Sequence, residues 1–361
     1  MEQIMTAVSE AKPAAMAEGA QSGDAIQAAI QQVIQFSSGY IISIALNNVV
    51  KLGIPDRLAG GAKTAGALAR EVGANEDALY RVLRALASVG LFEEDEMQRF
   101  RLTTMSGLLR TDVPGTLAPL VSWFCDPFHF NTYAELRHSL RTGEPAIDKV
   151  YGVPLFEYFP RDPELSGVFN QAMTTFSAAV IPAVLDAYDF SGIDVLVDVA
   201  GGHGHVLTSI LQKYPAMRGL LVDLDHVVAG AAPLIAQQGV TDRCETGAVD
   251  FFAKVPAGGD AYIMKHIIHD WNDEKAIVIL RNVRAALDGK PDGRLILLEG
   301  IVAPANQPDF AKLLDLEMLT LPGGRERTEA EFRALLRQGG FELTRVVPTQ
   351  SMACVIEGRP I

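Results

Sequence analysis

Two stretches of the chain hold residues whose types and spacing could do chemistry. In AYIMKHIIHDW, residues 261–271, an apolar run leads to His269, a side chain whose ordinary proton affinity lies near neutrality. Two acids stand where later segments end: Glu299 closes RLILLEG, and Glu326 lies in GGRERT. A carboxylate on one imidazole nitrogen fixes the tautomer and supports the imidazolium formed when the other nitrogen takes a proton. His269 with Glu299 and Glu326 is therefore a candidate general base, provided that all three reach one rim of the fold. Taken alone, a histidine before Asp-Trp reads equally as the start of a helix. Asp270 keeps two uses: to assist His269 or an acceptor, or to receive backbone N–H groups where the next helix begins. Trp271 reads as packing, and His266 as a bonded neighbour within the strand.

The second stretch is LVDVAGGHGHVL, residues 196–207. An apolar run ends in an acid and turns through Gly201, Gly202 and Gly204, residues that let a backbone bend sharply and approach a ligand. Asp223 ends the next apolar run, nineteen residues past Gly204. A glycine turn with an acid at that spacing predicts a nucleoside cofactor, the acid taking the ribose hydroxyls. A dinucleotide fingerprint begun at Gly202 would finish on Leu207, where close helix packing needs glycine. The turn lies nearer to E/D-x-G-x-G-x-G, which methyltransferases use for S-adenosylmethionine. His203 and His205 have no carboxylate or cysteine cluster beside them in sequence, so they read as facing solvent or cofactor, and no metal is expected.

The elements that must position these residues follow from the patterning. From Asp194 onward strands (VLVDV, GLLVDL, AYIMKHI, RLILLEG) alternate with helices (LTSILQKY, EKAIVILRNVRAAL, TEAEFRALLRQGG). The last helix opens on a capping box, Thr328 to Glu331. FELTRVVPTQSMACVIEGRP closes the chain as two strands. This predicts an α/β fold, a Rossmann-like doubly wound parallel sheet with an antiparallel terminal strand. Ligands in such sheets sit outside the carboxyl ends of the strands, where the glycine corner and His269 both fall.

The N-terminal third reads instead as helices followed by a hairpin, the outline of a winged helix. AIQAAIQQVIQFSSGYIISIALNNVVKLGI is apolar on more than one face, so a partner subunit is a candidate to cover it. Thr64 and Gly73 bound one short helix, and the next carries Leu79, Val82, Leu83 and Leu86 on one side. Residues 61–110 hold seven Lys or Arg and seven Asp or Glu, and the hairpin tip is Glu93-Glu94-Asp95-Glu96. With a net charge of −13 overall, this opposes a nucleic-acid or anionic-membrane partner and favours dimerisation. No apolar run approaches a membrane span, YIISIALNNVV being broken by Asn47 and Asn48. The first residues lack a basic start followed by an apolar stretch. Cys125, Cys244 and Cys354 are odd in number and far apart, so free thiols in a reducing, cytoplasmic compartment are expected. The expected organisation is a flexible tail at 1–24, a winged-helix-like dimerisation domain at 25–115 and a catalytic domain at 116–361.

With these residues in place, the chain from about Ala29 onward resembles the plant-type small-molecule O-methyltransferases of the caffeic-acid and hydroxyindole kind. LVDVAGGHGH is similar to LVDVGGGTG, and VDLDHV to FDLPHV. VDFFAKVPAGGDAYIMKHIIHDWNDE is similar to GDFFxxVPxxDAYxLKxILHDWNDE. DLEMLTLPGGRERTEAEFRALLRQGGF resembles the block D-x-x-M-L…GG-x-E-R-T-x-x-E-F…GF, and GVPLFEYFPRDPELSGVFNQAM the segment leading into the cofactor domain. Ala200 stands where the family has its first glycine, His203 where it has Thr, and Asp225 where it has Pro.

The resemblance implies methyl transfer from S-adenosylmethionine to a hydroxyl of a small aromatic molecule by a homodimer. It implies that Gly201, Gly202 and Gly204 line the methionine and ribose end of the cofactor, with Asp223 at the ribose and Leu224 also binding the cofactor. Asp250 and Phe251 would hold the adenine, Lys265 would lie beside the cofactor through its backbone, and Ser177 would stand near its carboxylate. Met173 and Met318 would clamp a flat acceptor, with Asp270 beside it, while His269, Glu299 and Glu326 would serve proton transfer. Outside the resemblance, Phe251 and the methionines read as core and Lys265 as a snorkelling strand end. The chemistry is coherent, because a phenol with a pKa of about 10 is mostly un-ionised at neutral pH. A positioned base is then worth roughly a hundred- to ten-thousand-fold. Competing readings are N-methylation, polyketide tailoring without methyl transfer, a cofactor-sensing winged-helix regulator, and a nicotinamide oxidoreductase, which Leu207 opposes.

Overall fold

The computed structural model describes residues 23–361. The expected tail therefore lies outside the described residues, apart from Gly23 and Asp24, which open the first helix. The described chain divides into two compact units, 23–133 with 159–176, and 134–158 with 177–361.

In the first unit, helix α1 (Gly23–Lys51) lays Ile42, Leu46 and Val49 into a core shared with α2 (Ala65–Val72) and α3 (Glu76–Ser88). Thr64 caps α2 by accepting from Ala67 N at 3.2 Å, and Gly73 ends it in the left-handed region. Leu79, Leu83 and Leu86 of α3 are buried, while Val82 is only half-buried. The predicted hairpin forms from β2 (Phe92–Glu94) and β3 (Arg99–Leu102) and gains a third strand, β1 (Lys63–Thr64). Two residues are too few to show an alternating pattern. This unit also runs past the expected boundary at 115. Helices Ala118–Phe124 and Pro127–Tyr133 belong to it, tied to α1 by Asn47 Nδ2 donating to Cys125 O at 2.5 Å and by Lys51 paired with Asp126 at 3.1 Å. The Trp123 ring packs on His129 at 4.5 Å and on Phe169 at 5.0 Å, drawing 159–176 into the same unit. Helix α4 (Pro163–Ala187) is shared between the units, changing over at Ser177.

The second unit holds a seven-stranded sheet: β4 (Val195–Val199), β5 (Arg218–Asp223), β6 (Cys244–Ala248), β7 (Ala261–Lys265), β8 (Arg294–Glu299), β9 (Phe341–Val347) and β10 (Cys354–Pro360). The order is β6-β5-β4-β7-β8-β10-β9, with the first five parallel and β10 antiparallel to both neighbours. Only β6 escapes the sequence pattern, because CETGA is a largely exposed edge strand without an apolar face. Helices α5 (His205–Lys213), α6 (Asp273–Ala286), α7 (Phe310–Thr320) and α8 (Glu329–Gln338) belong to the same unit. Ile279, Leu280 and Val283 of α6 and Phe332, Leu335 and Leu336 of α8 pack on Tyr262, Met264, Leu295, Leu297 and Ile356 of the sheet. Chain order reverses at β4, between β5 and β7, which places a ligand crevice at the carboxyl ends of these three strands.

Helices α1 and α4 are both long and apolar enough, by length and composition alone, to cross a membrane. This corrects the expectation that no segment approaches that length. Asn47 and Asn48 interrupt the apolar run, but they add no charge, and charges of α1 fall only at its ends, Asp24 and Lys51.

Candidate active site

The glycine corner follows β4 as predicted. Ala200, Gly202 and Gly204 all take left-handed backbone, with φ of 56°, 60° and 84°. The turn is pinned to β5: Ala200 N donates to Val222 O at 2.8 Å, and Gly202 N to Asp223 Oδ2 at 2.8 Å. Leu224 N donates to Asp223 Oδ1 at 2.7 Å. Both carboxylate oxygens of Asp223 are thus oriented by backbone while keeping lone pairs for further donors. Burial raises the pKa of Asp223, and those two N–H groups oppose the rise. A Cβ on Gly201 would lie 2.5 Å from the Asp198 carboxyl, whereas one on Gly202 would meet nothing within 4 Å, so the corner is closed beneath and open above. Asp198 itself is buried, and desolvation pushes it to about 7 against the attraction of Lys265. His203 is exposed and turns toward Gly230, where a Cβ would fall 2.7 Å from its Nε2. His205 begins α5.

Leu224 is an exposed leucine beside the corner. Asp250 is exposed and accepts from Phe252 N at 2.9 Å, and Phe251 lies 6.1 Å from the Trp271 ring. Asn282 of α6, which the sequence pattern did not single out, donates to the carbonyls of Phe251 and Phe252 at 2.8 and 2.9 Å. Lys265 ends β7, and burial pushes its pKa down against the pull of Glu299 and Asp198. Ser177 and Met318 are buried on α4 and α7, and Met173 is half-buried on the part of α4 that belongs to the first unit.

His269 sits in a single turn, Ile268–Asp270, after β7. It does not begin a helix: α6 starts at Asp273, capped by Asn272 through Lys275 N at 3.0 Å, which also relieves Asp270 of a capping role. His266 lies just beyond the strand rather than within it, at φ 51°, where the chain breaks from the sheet to form this turn. His269 Nδ1 is 2.6 Å from Glu326 Oε1, both groups being buried. Asp270 Oδ1 lies 3.4 Å from the other nitrogen, Nε2. Glu299 stands apart from this pair. Its Oε1 accepts from Ile267 N at 3.1 Å and Ile268 N at 2.9 Å, gripping the backbone of the turn, and its Oε2 lies 3.9 Å from His269 Nδ1. Burial alone would lower the pKa of His269, but the carboxylates of Glu299, Asp270 and Glu326 outweigh it and hold the imidazole at about 10. Burial raises Glu299 to about 7 and Asp270 to about 6, with His269 opposing both. Burial also drives His266 well below the ordinary histidine value.

A chain with a glycine corner after β4 and a buried His–Glu pair after β7 has clear relatives. Residues 133–342 match the O-methyltransferase domain, and residues 34–112 match the O-methyltransferase dimerisation domain. The phenazine O-methyltransferase PhzM of Lysobacter antibioticus is 40% identical over 329 residues, spanning 91% of this chain and 96% of that one. The chain belongs to the O-methyltransferase family. The mitomycin biosynthesis 6-O-methyltransferase of Streptomyces lavendulae is 36% identical, spanning 90% of this chain and 93% of that protein. An 8-amino-8-demethylriboflavin N,N-dimethyltransferase of Streptomyces davaonensis is 33% identical, spanning 92% and 95%. The crystal structure of LaPhzM superposes with a TM-score of 0.86 at 40% identity, covering 92% of this chain and 99% of that one. The O-methyltransferase of neocarzinostatin biosynthesis, in complex with S-adenosylmethionine and 2-hydroxy-5-methyl naphthoic acid, superposes with a TM-score of 0.76 at 30% identity, covering 88% and 96%.

This methyltransferase is therefore S-adenosylmethionine-dependent, and its residues fit that cofactor. The space above Gly202 admits a close approach, and Asp223 offers oriented acceptors to a ribose. His266, His269 and Glu299 also bring donor atoms within 4.8 Å of one another. Nδ1 of His269 is committed to Glu326, however, and Lys265 acts electrostatically on both Glu299 and His266, so the group suits a proton better than a metal ion.

Besides Asn282, sequence reasoning missed three supports of this methyltransferase's site. Asp315 Oδ1 accepts from Glu326 N at 2.8 Å. Gly324 and Arg327 lie against the histidine turn. A signal existed in GGRERT, where a glycine pair and an arginine flank the acid, but Thr328 drew that stretch into the capping box of α8.

Proposed function

We propose that this methyltransferase acts on a hydroxyl of a small aromatic, phenolic metabolite, with His269 as the general base. The observation that carries the reading is the buried 2.6 Å contact between His269 Nδ1 and Glu326 Oε1. In the neutral imidazole the proton of this contact sits on Nδ1, facing the Glu326 carboxyl, and leaves Nε2 to take the acceptor's proton. Glu326 stabilises the imidazolium so formed, and Glu299 holds the turn from which His269 projects. Raised to about 10 by its carboxylates, the imidazole matches the proton affinity of a phenolate, about 10. Proton transfer from the bound acceptor to the unprotonated imidazole is then close to balanced, and because that form is a minor species at neutral pH, turnover on a phenol should rise as pH increases toward 10. When bound, the cofactor supplies an electrophilic methyl group on its sulfonium. Gly202 and Gly204 form the corner beneath it, Asp223 takes its ribose with Leu224 beside the cofactor, and Asp250 and Phe251 take its adenine. Gly201 shapes the floor, Lys265 borders the site through its backbone, Ser177 stands near the cofactor carboxylate, and Asp270 and Met318 face the acceptor.

Homodimer formation through the first unit is part of the reading. Ile30, Val33, Ile34, Phe36 and Ile41 leave an apolar face of α1 exposed within the match to the dimerisation domain or beside it. At the hairpin, Arg99 and Arg101 are engaged by Asp95 and Glu93 and do not offer cations to phosphate. Three free thiols suit a reducing cytoplasm.

A second reading, methylation of an aromatic amine, is favoured by the N,N-dimethyltransferase relative. An arylamine carries its nucleophilic lone pair at neutral pH and needs no base to expose it. Labelled S-adenosylmethionine offered with matched phenols and arylamines separates the two. Methyl transfer to phenols that is lost in His269→Gln supports the proposal; transfer to amines alone, indifferent to that substitution, overturns it.

A further inference from the structure

The segment that carries Glu326 does more than deliver a carboxylate. It runs against the histidine turn backbone to backbone. A Cβ on Gly324 would lie 1.9 Å from His269 O, 2.3 Å from Asp270 C and 2.6 Å from Trp271 N. Any side chain at 324 would therefore push the two segments apart. One residue on, Arg325 N donates to His269 O at 2.8 Å. Glu326 then meets the imidazole, and Arg327 follows, 1% exposed.

Arg327 binds the turn on both sides of His269. Its Nη1 donates to Ile268 O at 3.1 Å and to Arg325 O at 3.2 Å, and its Nη2 to Trp271 O at 2.9 Å. Nε and Nη2 reach Asp273 Oδ1 at 3.1 and 2.7 Å. One planar cation thus joins the residue before His269, the residue two after it, the first residue of α6 and the backbone beside Glu326. Lysine cannot span these directions, having three donors on a single nitrogen instead of a rigid fork. A buried guanidinium is costly unless its hydrogen bonds are satisfied. Here the bonds it makes join the two segments that carry the His–Glu pair.

We infer that Arg327 is a positioning residue that keeps His269 in register with Glu326, with Gly324 permitting the contact. The inference rests on the general-base reading above. Its physical basis is the steepness of hydrogen bonding with distance: a slip of about 1 Å between the segments would open a 2.6 Å contact beyond bonding range. His269 would then lose its fixed tautomer and the partner that raises its proton affinity.

The test follows the imidazole directly, so it does not depend on any acceptor. The full chain is labelled with 15N-histidine, His269 is assigned through His269→Gln, and its titration is compared in wild type, Arg327→Lys and Arg327→Gln. Melting temperature and calorimetric binding of S-adenosylhomocysteine show which variants are folded. In folded variants His269 should titrate lower by about one unit or more, the size expected when a carboxylate partner is lost. Turnover should fall by about a hundredfold, as for a 1 Å misplacement, with KM for the cofactor unchanged, since the glycine corner is untouched. If the Arg327 variants do not fold, Asp273→Asn carries the test. The Asp273 side chain is 52% exposed, and removing its charge loosens the guanidinium, so a smaller downward shift is expected. A folded Arg327 variant, or Asp273→Asn in its place, with His269 titrating as in wild type overturns the inference and leaves the base reading standing. A wild-type His269 that titrates at the ordinary histidine value overturns the inference, because Glu326 then does not raise its proton affinity; the base reading itself falls only if His269→Gln keeps wild-type turnover on a phenol.

Discussion

Ala200 occupies left-handed backbone at φ 56°, where a Cβ crowds the carbonyl that follows at a cost of roughly 1–2 kcal/mol. The corner needs that conformation to carry the chain from β4 toward Asp223, so the strain persists because the turn is pinned on both sides. Ala200→Gly should therefore stabilise the protein by roughly 0.5–1 kcal/mol, net of the freedom glycine adds to the unfolded chain. Urea unfolding would show a higher midpoint at an unchanged slope; an unchanged or lower midpoint would mean that the turn accommodates the methyl group without strain. Residue types made much of the site legible at this scale. A histidine, an acid after a glycine turn and two spaced glutamates announce their chemistry by identity. The division of labour between Glu299 and Glu326 was not legible, because it depends on which carboxylate faces the imidazole and which faces the backbone of the turn.

At the scale of elements, α6 serves as a strut as well as a cover for the sheet. Its Asn282 side chain reaches the 250–252 loop and donates to two carbonyls there. Asn282→Ala removes both bonds, each worth about 1 kcal/mol net, so a loss of roughly 1–3 kcal/mol in stability is expected. A weaker affinity for S-adenosylmethionine should accompany it, since Asp250 and Phe251 are assigned to the adenine. Calorimetry showing full stability with full affinity would remove Asn282 from this role. The same scale explains which elements the chain reveals. Strands β4, β7 and β8 are buried on both faces and read as continuous apolar runs. Edge strand β6 and two-residue β1 lack that signature. The join of 118–133 to the first unit rests on aromatic contacts such as Trp123 with Phe169, and no local periodicity encodes a contact so distant in sequence.

At the scale of the whole molecule, the exposed apolar face of α1 exceeds what a soluble monomer ordinarily shows. Sedimentation at micromolar concentration should give a dimer, and a monomer there would contradict the assignment of the first unit to dimerisation. Charge buried at the site also links stability to pH. The folded pKa of His269 is raised, so its contribution is fully present below about 6.5, the unfolded value, and is lost as pH rises through about 10. The lowered pKa of Lys265 acts in the opposite direction toward the alkaline end. The melting temperature should therefore fall between pH 7 and 9, and fall less in His269→Gln; an equal fall in both would show that the imidazole is not paired in the fold. The central claim is that methyl transfer to a hydroxyl depends on His269 removing its proton. The most direct measurement compares kcat of wild type and His269→Gln at neutral pH on a simple phenol and on a nitrophenol already largely ionised. On the simple phenol the substitution should cost about a hundredfold or more, with affinity for S-adenosylmethionine unchanged, and on the nitrophenol far less. Equal losses on the two acceptors, or wild-type turnover of the simple phenol, would contradict the account.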